Sequence, residues 1–188
     1  MNPVLVVFAH PALHRSKVNK PMLEAARSVD GVTIHNLYET YPDFDINVAH
    51  EHDLLSRHAA IILHHPFFWY SCPSLLKEWL DRTLTHGWAY GSDGNALHGK
   101  VMMSAISTGG AANAYHPEGN NRYHINQFLL PFDQTAHLCG MNYVEPLIFH
   151  SASRATPQDV ALHCQTYVER LTALRDGLPL PLFQGSRK

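Results

Sequence analysis

Five short apolar runs, each followed by an amphipathic stretch, set the organisation of this 188-residue chain. The runs are VLVVFA (4–9), VTIHNLY (32–38), AAIILHH (59–65), KVMMSAIS (100–107) and NYVEPLIFH (142–150). After them in turn come SKVNKPMLEAARSV, VAHEHDLLSRH, PSLLKEWLDRTL, INQFLLPFDQTAHLC and PQDVALHCQTYVERLTAL, whose apolar residues recur at helical spacing. A run such as Val4-Leu5-Val6-Val7 has no polar face to offer water, so it predicts a strand buried on both sides. Strict alternation of such strands with helices predicts an α/β domain, a parallel sheet with helices on both faces. Right-handed crossovers leave few topologies, and five strands fit the order 2-1-3-4-5. One domain is expected over residues 1–177, followed by an extended Pro-rich tail, LPLPLFQGSRK, over 178–188.

In open sheets of this kind ligands bind beyond the C-terminal ends of the strands where the strand order reverses. That rule directs attention to the loops after the first, third and fourth strands, which are the most unusual in the sequence. The first contains His10 and ends in Ser16-Lys17-Val18-Asn19 at a helix start, where free backbone N–H groups, the helix dipole and a hydroxyl form a seat for phosphate. Arg15 and Lys17 add positive charge, while a plain helix cap by Ser16 explains the same residues. The second loop, Pro66-Phe67-Phe68-Trp69-Tyr70, offers apolar faces to a planar ring, and four consecutive aromatics cannot all point into a core. In the third, Ser107-Thr108-Gly109-Gly110 lets backbone amides approach a ligand closely, and Tyr115 follows. A phosphate seat, an aromatic wall and an amide-lined edge together describe a flavin mononucleotide. There is no G-x-G-x-x-G and no G-x-x-x-x-G-K-[ST], which sets aside the usual dinucleotide and nucleoside-triphosphate motifs.

Other classes are disfavoured by composition. The formal net charge is −2 with no cluster of Lys and Arg, so no nucleic-acid partner is expected. No run approaches the ~20 apolar residues of a membrane span, and the first residues read as a strand rather than a signal peptide. Three scattered cysteines, Cys72, Cys139 and Cys164, fit free thiols in a reducing cytoplasm. Histidine is abundant, 15 in all, but the local spacings predict no metal site. His50 and His52 lie two apart on a helix, and His64 and His65 point to opposite faces of a strand.

The pieces FAHP, SKVNK, HPFFWYSCPSLLKEWLDR, HGWAYG, LHGK, STGG and LCGMNYVEP, in this order and spacing, resemble the flavodoxin-like NAD(P)H:quinone oxidoreductase family over nearly the whole chain. LYETYPDF and SCPSLLKEWLDRTLTHGWAYG look most like the bacterial branch that includes ancillary subunits of glutathione-regulated potassium-efflux systems. The resemblance implies a flavodoxin-like five-stranded fold and FMN, with FAD as the alternative. It implies a ping-pong hydride route from NADH or NADPH to a quinone, and a homodimer with shared sites. By that likeness His10 and Ser16, Lys17, Val18 and Asn19 hold the flavin phosphate and ribityl chain. Pro66, Phe67, Phe68 and Trp69 line the ring, and Ser107, Thr108, Gly109 and Gly110 lie along its reactive edge. Animal members carry a Tyr after T-G-G and a His six residues on, the latter linked to charge relay. Here Tyr115 matches the first but Asn121 occupies the second, which leaves His116 or His124 as substitutes. Trp88 and Tyr90, in the long loop HGWAYGSDGNALHGK, are expected to be exposed and to approach the partner subunit. The likeness also places the protein in the cytoplasm, or peripherally at the inner membrane face beside a transporter, and leaves a one-electron carrier as a third reading.

Overall fold

Alternate residues of the central strands divide between two cores. In the computed structural model, which describes residues 1–185, Val4, Val6 and Phe8 of β1 (Val4–Phe8) enter one apolar cluster, while Leu5 and Val7 enter the other. The same division runs through β3 (Ala60–Pro66) and β4 (Val101–Ser107), every residue of which is buried except Val101. This is why these runs lack polar residues at every second position. The sheet order is β2-β1-β3-β4-β5, all parallel, with β2 spanning Val32–Asn36 and β5 only Asn142–Tyr143.

Helix α1 (Asn19–Arg27) covers one face through Met22, Leu23 and Ala26, and α6 (Pro157–Arg175) joins it through Tyr167 and Leu171. Two further helices follow β2: the short α2 (Leu37–Thr40) and α3 (Val48–Ser56). On the opposite face α3 packs with α4 (Ser74–Thr83) and α5 (Ile125–Leu138), contributing Leu55, Trp79 and Phe132 to the second core. Burying an aliphatic side chain of this size contributes about 1.5–3 kcal/mol. His64 and His65 are both wholly buried and face opposite cores, against Tyr167 and Phe132 respectively.

Two segments depart from the sequence reading. Leu37 and Tyr38, expected to extend the second strand, turn into α2, where Thr40 Oγ1 donates to Asn36 O and Tyr41 N donates to Leu37 O. The fifth run, 142–150, divides into β5 and a separate β6 (Leu147–Phe149), both paired to β4. Pro146 has no N–H to give the ladder, Glu145 N donates to Pro181 O, and Glu145 O accepts from Arg170 Nη1. The segment from Leu178 onward lies along this break, with Leu182 bridged antiparallel to Val144 and Phe183 packed on Tyr143. Residues 186–188 of the expected tail lie outside the described residues. No helix among the described residues is long and apolar enough to cross a membrane.

Candidate functional site

Parallel pairing places the last residues of β1, β3 and β4 side by side, with Phe8 opposite His64 and Pro66 opposite Ser107. The three loops leaving them surround a cleft of about 440 Å³, within the range of small-molecule sites. His10, Ser16, Lys17 and Asn19 line it from the first loop, and Pro66, Phe67 and Phe68 from the second. The third contributes Ser107, Thr108 and Gly109, while Arg15, Ala152 and Ser153 complete the wall. Ala152 and Ser153 follow β6, a loop that the sequence reading did not consider.

The polar end is held by a small network. Ser16 Oγ accepts from Asn19 N at 2.9 Å and Asn19 Nδ2 at 3.1 Å, and the same Nδ2 donates to Ser107 Oγ at 2.8 Å. Asn19 thereby ties the first loop to β4. It is only 2% exposed, yet its Oδ1 has no partner among the described residues, and an orphaned buried acceptor beside a cleft points to a donor from outside the chain. Among the described residues, the backbone N–H groups of Lys17 and Val18 have no acceptor. Ser16 therefore satisfies the first N–H of α1 from two residues before its N-cap, Val18, and lines the cleft at once. The Val18 side chain does not line the cleft; it is buried in the core, leaving only its backbone to the loop. His10 Nδ1 accepts from Ala12 N at 3.1 Å, so the neutral ring carries its proton on Nε2. Burial lowers its pKa and favours that neutral form.

The aromatic loop makes a tight reversal. Phe68 N donates to Ser71 O at 3.3 Å and Ser71 N to Phe68 O at 3.0 Å, with Trp69 at φ +47° and Tyr70 at φ +61° between them. A two-residue hairpin of this hand normally uses Asn-Gly, because both central residues need positive φ. Two aromatic residues there store roughly 1–3 kcal/mol of strain each. Phe67 is half-buried, whereas Trp69 is 92% exposed and stands outside the cleft. Tyr70 stacks on Phe128 with centroids 5.1 Å apart and donates to Asn121 Oδ1 at 3.3 Å.

Above the third loop sits a cluster built on Thr108. Its hydroxyl donates to Gly110 O at 2.8 Å and lies 3.0 Å from His150 Nδ1. With the hydroxyl proton committed to Gly110, His150 Nδ1–H is the donor in the second bond. Tyr115 is buried and its ring lies 5.6 Å from that of His150. A Cβ on Gly110 would come within 3.1 Å of the Tyr115 ring, so glycine lets the tyrosine close over the loop. His116 is exposed, paired edge-on with His124 and apart from the cleft lining. His150 is the polar residue that sequence reasoning missed. It closes the fifth apolar run, and the rule applied to the other strand ends would have found it.

Trp88 and Tyr90 do not occupy the exposed positions expected of them. Both are half-buried, because the loop folds back with Ala96 N donating to Trp88 O, and Trp88 stacks on His52 at 3.5 Å. Among the described residues the exposed aromatics are Phe44, Phe68, Trp69, Tyr70 and Tyr123.

A family model described as flavodoxin-like fold matches residues 2–173. The chain belongs to the flavodoxin-like family. Among curated relatives, the glutathione-regulated potassium-efflux system ancillary protein KefG of Pectobacterium carotovorum is 45% identical over 178 residues, covering 95% of this chain and 94% of the relative. Among solved structures, general stress protein 14 of Treponema denticola in complex with FMN superposes with a TM-score of 0.87 at 39% identity, covering 92% of this chain and 99% of that one. An NADPH-quinone reductase from P. pentosaceus gives a TM-score of 0.82 at 31% identity, over 90% and 97% of the two chains. This flavodoxin-like protein thus shares its architecture with proteins described as FMN-bound and as quinone reductases.

Proposed function

We propose that the chain is a flavin-dependent NAD(P)H:quinone oxidoreductase that holds FMN in the cleft between the first, third and fourth strands. The observation that carries this reading is the polar end of the cleft, where Asn19 Oδ1 is buried with no partner among the described residues, beside N–H groups likewise unpaired there and two cations. Such a set fits a phosphate and the hydroxylated chain attached to it, which supplies both acceptors and donors. The FMN complex of a structural neighbour at 39% identity supports the same cofactor. When bound, FMN supplies two-electron chemistry between a nicotinamide and a quinone.

The side chains then have distinct tasks. Arg15 and Lys17 neutralise phosphate charge, and His10 donates from Nε2. Pro66, Phe67 and Phe68 exclude water from the ring faces, with Trp69 at the outer rim. Ser107 to Gly110 present backbone along the reactive edge. We assign proton supply to Tyr115 and His150, which pack together behind the cleft residue Thr108, rather than to the exposed His116, which pairs with His124 instead. Asn121 has no titratable group and serves to hold the Tyr70 hydroxyl. NADH or NADPH is the reductant, in ping-pong alternation with the quinone. A second recess of about 520 Å³ adjoins Lys17 between α1 and α6, which keeps FAD as the alternative. We read the protein as a homodimer joined near the exposed aromatics. The KefG likeness favours a second, compatible role as a cytoplasmic ancillary subunit of a potassium-efflux transporter, docked at the inner membrane face.

Purified protein is expected to be yellow and to release FMN. Anaerobic stopped-flow should show bleaching by NADH or NADPH and recovery on adding quinone. A colourless protein that binds neither FMN nor FAD at micromolar concentration would overturn the cofactor. Bound flavin that neither nucleotide bleaches would leave a one-electron carrier. Light scattering on dilute protein tests the dimer.

The strained aromatic turn gives a separate test. Replacing Trp69-Tyr70 by Asn-Gly relieves two positive φ angles but removes the Tyr70–Phe128 stack, worth about 0.5–1.5 kcal/mol. Stability is expected to rise by about 0.5–5 kcal/mol, the two strain terms less the stack, while kcat/KM for quinone falls at least about tenfold, equivalent to ~1.4 kcal/mol. Unchanged turnover in the stabilised variant would show that the turn's strain serves no catalytic purpose.

A further inference from the structure

Away from the cleft, the end of β2 and the first turns of α3 bring together two imidazoles and a carboxylate. His35 and Glu51 are buried and His50 is exposed, and one ligand atom from each lies within 4.8 Å of the others. His35 Nε2 is 2.9 Å from Glu51 Oε1, and the His50 ring centroid is 5.9 Å from that of His35. We propose that His35, His50 and Glu51 bind one divalent transition-metal ion, such as zinc.

The donor set is one that zinc accepts, two histidines and a carboxylate with a fourth position left for water. Groups behind it orient the carboxylate, as outer partners do in metal sites: Trp79 Nε1 donates to Glu51 Oε2 at 2.7 Å, and the Tyr41 hydroxyl donates to Oε1. The charge balance points the same way. Glu51 is wholly buried, and among the described residues the only basic group at ion-pair distance is His35. A buried carboxylate without lysine or arginine rests on its hydrogen bonds, here from His35, Tyr41 and Trp79, and a divalent cation between His35 and Oε1 adds a countercharge.

Tetrahedral binding with metal–nitrogen distances of about 2.0–2.1 Å needs ligand atoms roughly 3.3–3.5 Å apart. His35 Nε2 and Glu51 Oε1, now in direct hydrogen-bond contact at 2.9 Å, need to part by only about half an ångström to admit the ion. His50 must move inward, and its ring is exposed. Its backbone is fixed meanwhile, because His50 N donates to the helix cap Asn47 Oδ1 at 3.1 Å. His52 takes no part, being committed to Thr83 O at 2.8 Å and stacked on Trp88.

The test is zinc titration of chelator-stripped full-length protein in competition with a chromogenic chelator. Wild type is expected to take up one equivalent at micromolar affinity or tighter, and to gain thermal stability with zinc. His50→Ala, at an exposed position, should weaken that equivalent at least tenfold and abolish the thermal gain, with the circular dichroism spectrum unchanged. Cobalt should give the visible absorption of a tetrahedral site in wild type and not in the variant. Zinc uptake that is identical in the two proteins, or weak uptake spread over the remaining histidines, overturns the site and leaves His35, Tyr41, Glu51 and Trp79 as a polar strut inside the fold.

Discussion

Acidification from pH 7 to pH 5 is expected to remove about 4 kcal/mol of folding stability through two histidines alone. His64 and His65 are wholly buried, and their Nε2 atoms have no partner among the described residues. Burial holds the pKa of His64 down to about 3, helped by the neighbouring histidines, and burial likewise holds His65 down to about 4. The sign follows from proton binding. Both rings are neutral when folded, and both take up a proton on unfolding once the pH falls below about 6.5. Their contribution is therefore fully present above pH 6.5 and is lost as pH falls toward 4 and 3. Each ring adds a slope of about 1.4 kcal/mol per pH unit in that window. Against a typical total of about 5–15 kcal/mol, this is between about a quarter and four-fifths of the stability. Urea midpoints at the two pH values test it. His65→Leu removes the unsatisfied Nε2 but also the Nδ1 bond to Pro66 O at 3.0 Å, so it lowers stability by about 1–3 kcal/mol at every pH while losing about half of the slope. Parallel pH dependence in wild type and variant would show that other groups dominate.

Asn19→Asp is expected to weaken FMN binding by about two orders of magnitude. The amide Nδ2 bonds both Ser16 Oγ and Ser107 Oγ, and a carboxylate has no hydrogen with which to replace it. It also sets a negative charge beside the phosphate seat. At about 5 Å and an effective dielectric of 20 the repulsion is about 3 kcal/mol. Loss of the Ser16 hydroxyl's bonds to Asn19 in Ser16→Ala costs only about 1 kcal/mol, so that variant should stay within about tenfold of wild-type affinity. Flavin fluorescence quenching gives both constants, and melting of the apo proteins separates affinity from folding. Equal affinity for Asn19→Asp and wild type would remove this end of the cleft from the site.

The architecture was legible because its signals are local. Unbroken apolar runs mark strands buried on two faces, and the strand-end rule then brings three unusual loops together. What escaped was set by contacts between distant segments. Apolar patterning runs on across NYVEPLIFH, but the competition of Pro181 for Glu145 N–H depends on the C-terminal segment folding back. Trp88 in a glycine-rich loop reads as exposed until His52 supplies a ring to cover it. His35 pairs with His50 and Glu51 only because β2 lies against α3, a relation that spacing within one helix cannot express. His150 reached the Thr108 cluster by the same long-range route.

The extended segment over 178–183 has a consequence for how the protein behaves in concentrated solution. Open sheets end in edges whose unused N–H and C=O groups invite pairing with another molecule. Here the Glu145 N–H is taken by Pro181, Tyr143 O by Phe183 N, and Val144 faces Leu182 across an antiparallel bridge. The break at Pro146 keeps both short strands from presenting one long template. These residues therefore act as a guard against sheet-to-sheet polymerisation. Shortening the chain at Gly177 would leave the domain's two cores largely intact while making its surface adhesive, so that the loss would be felt first in shelf life and not in melting temperature.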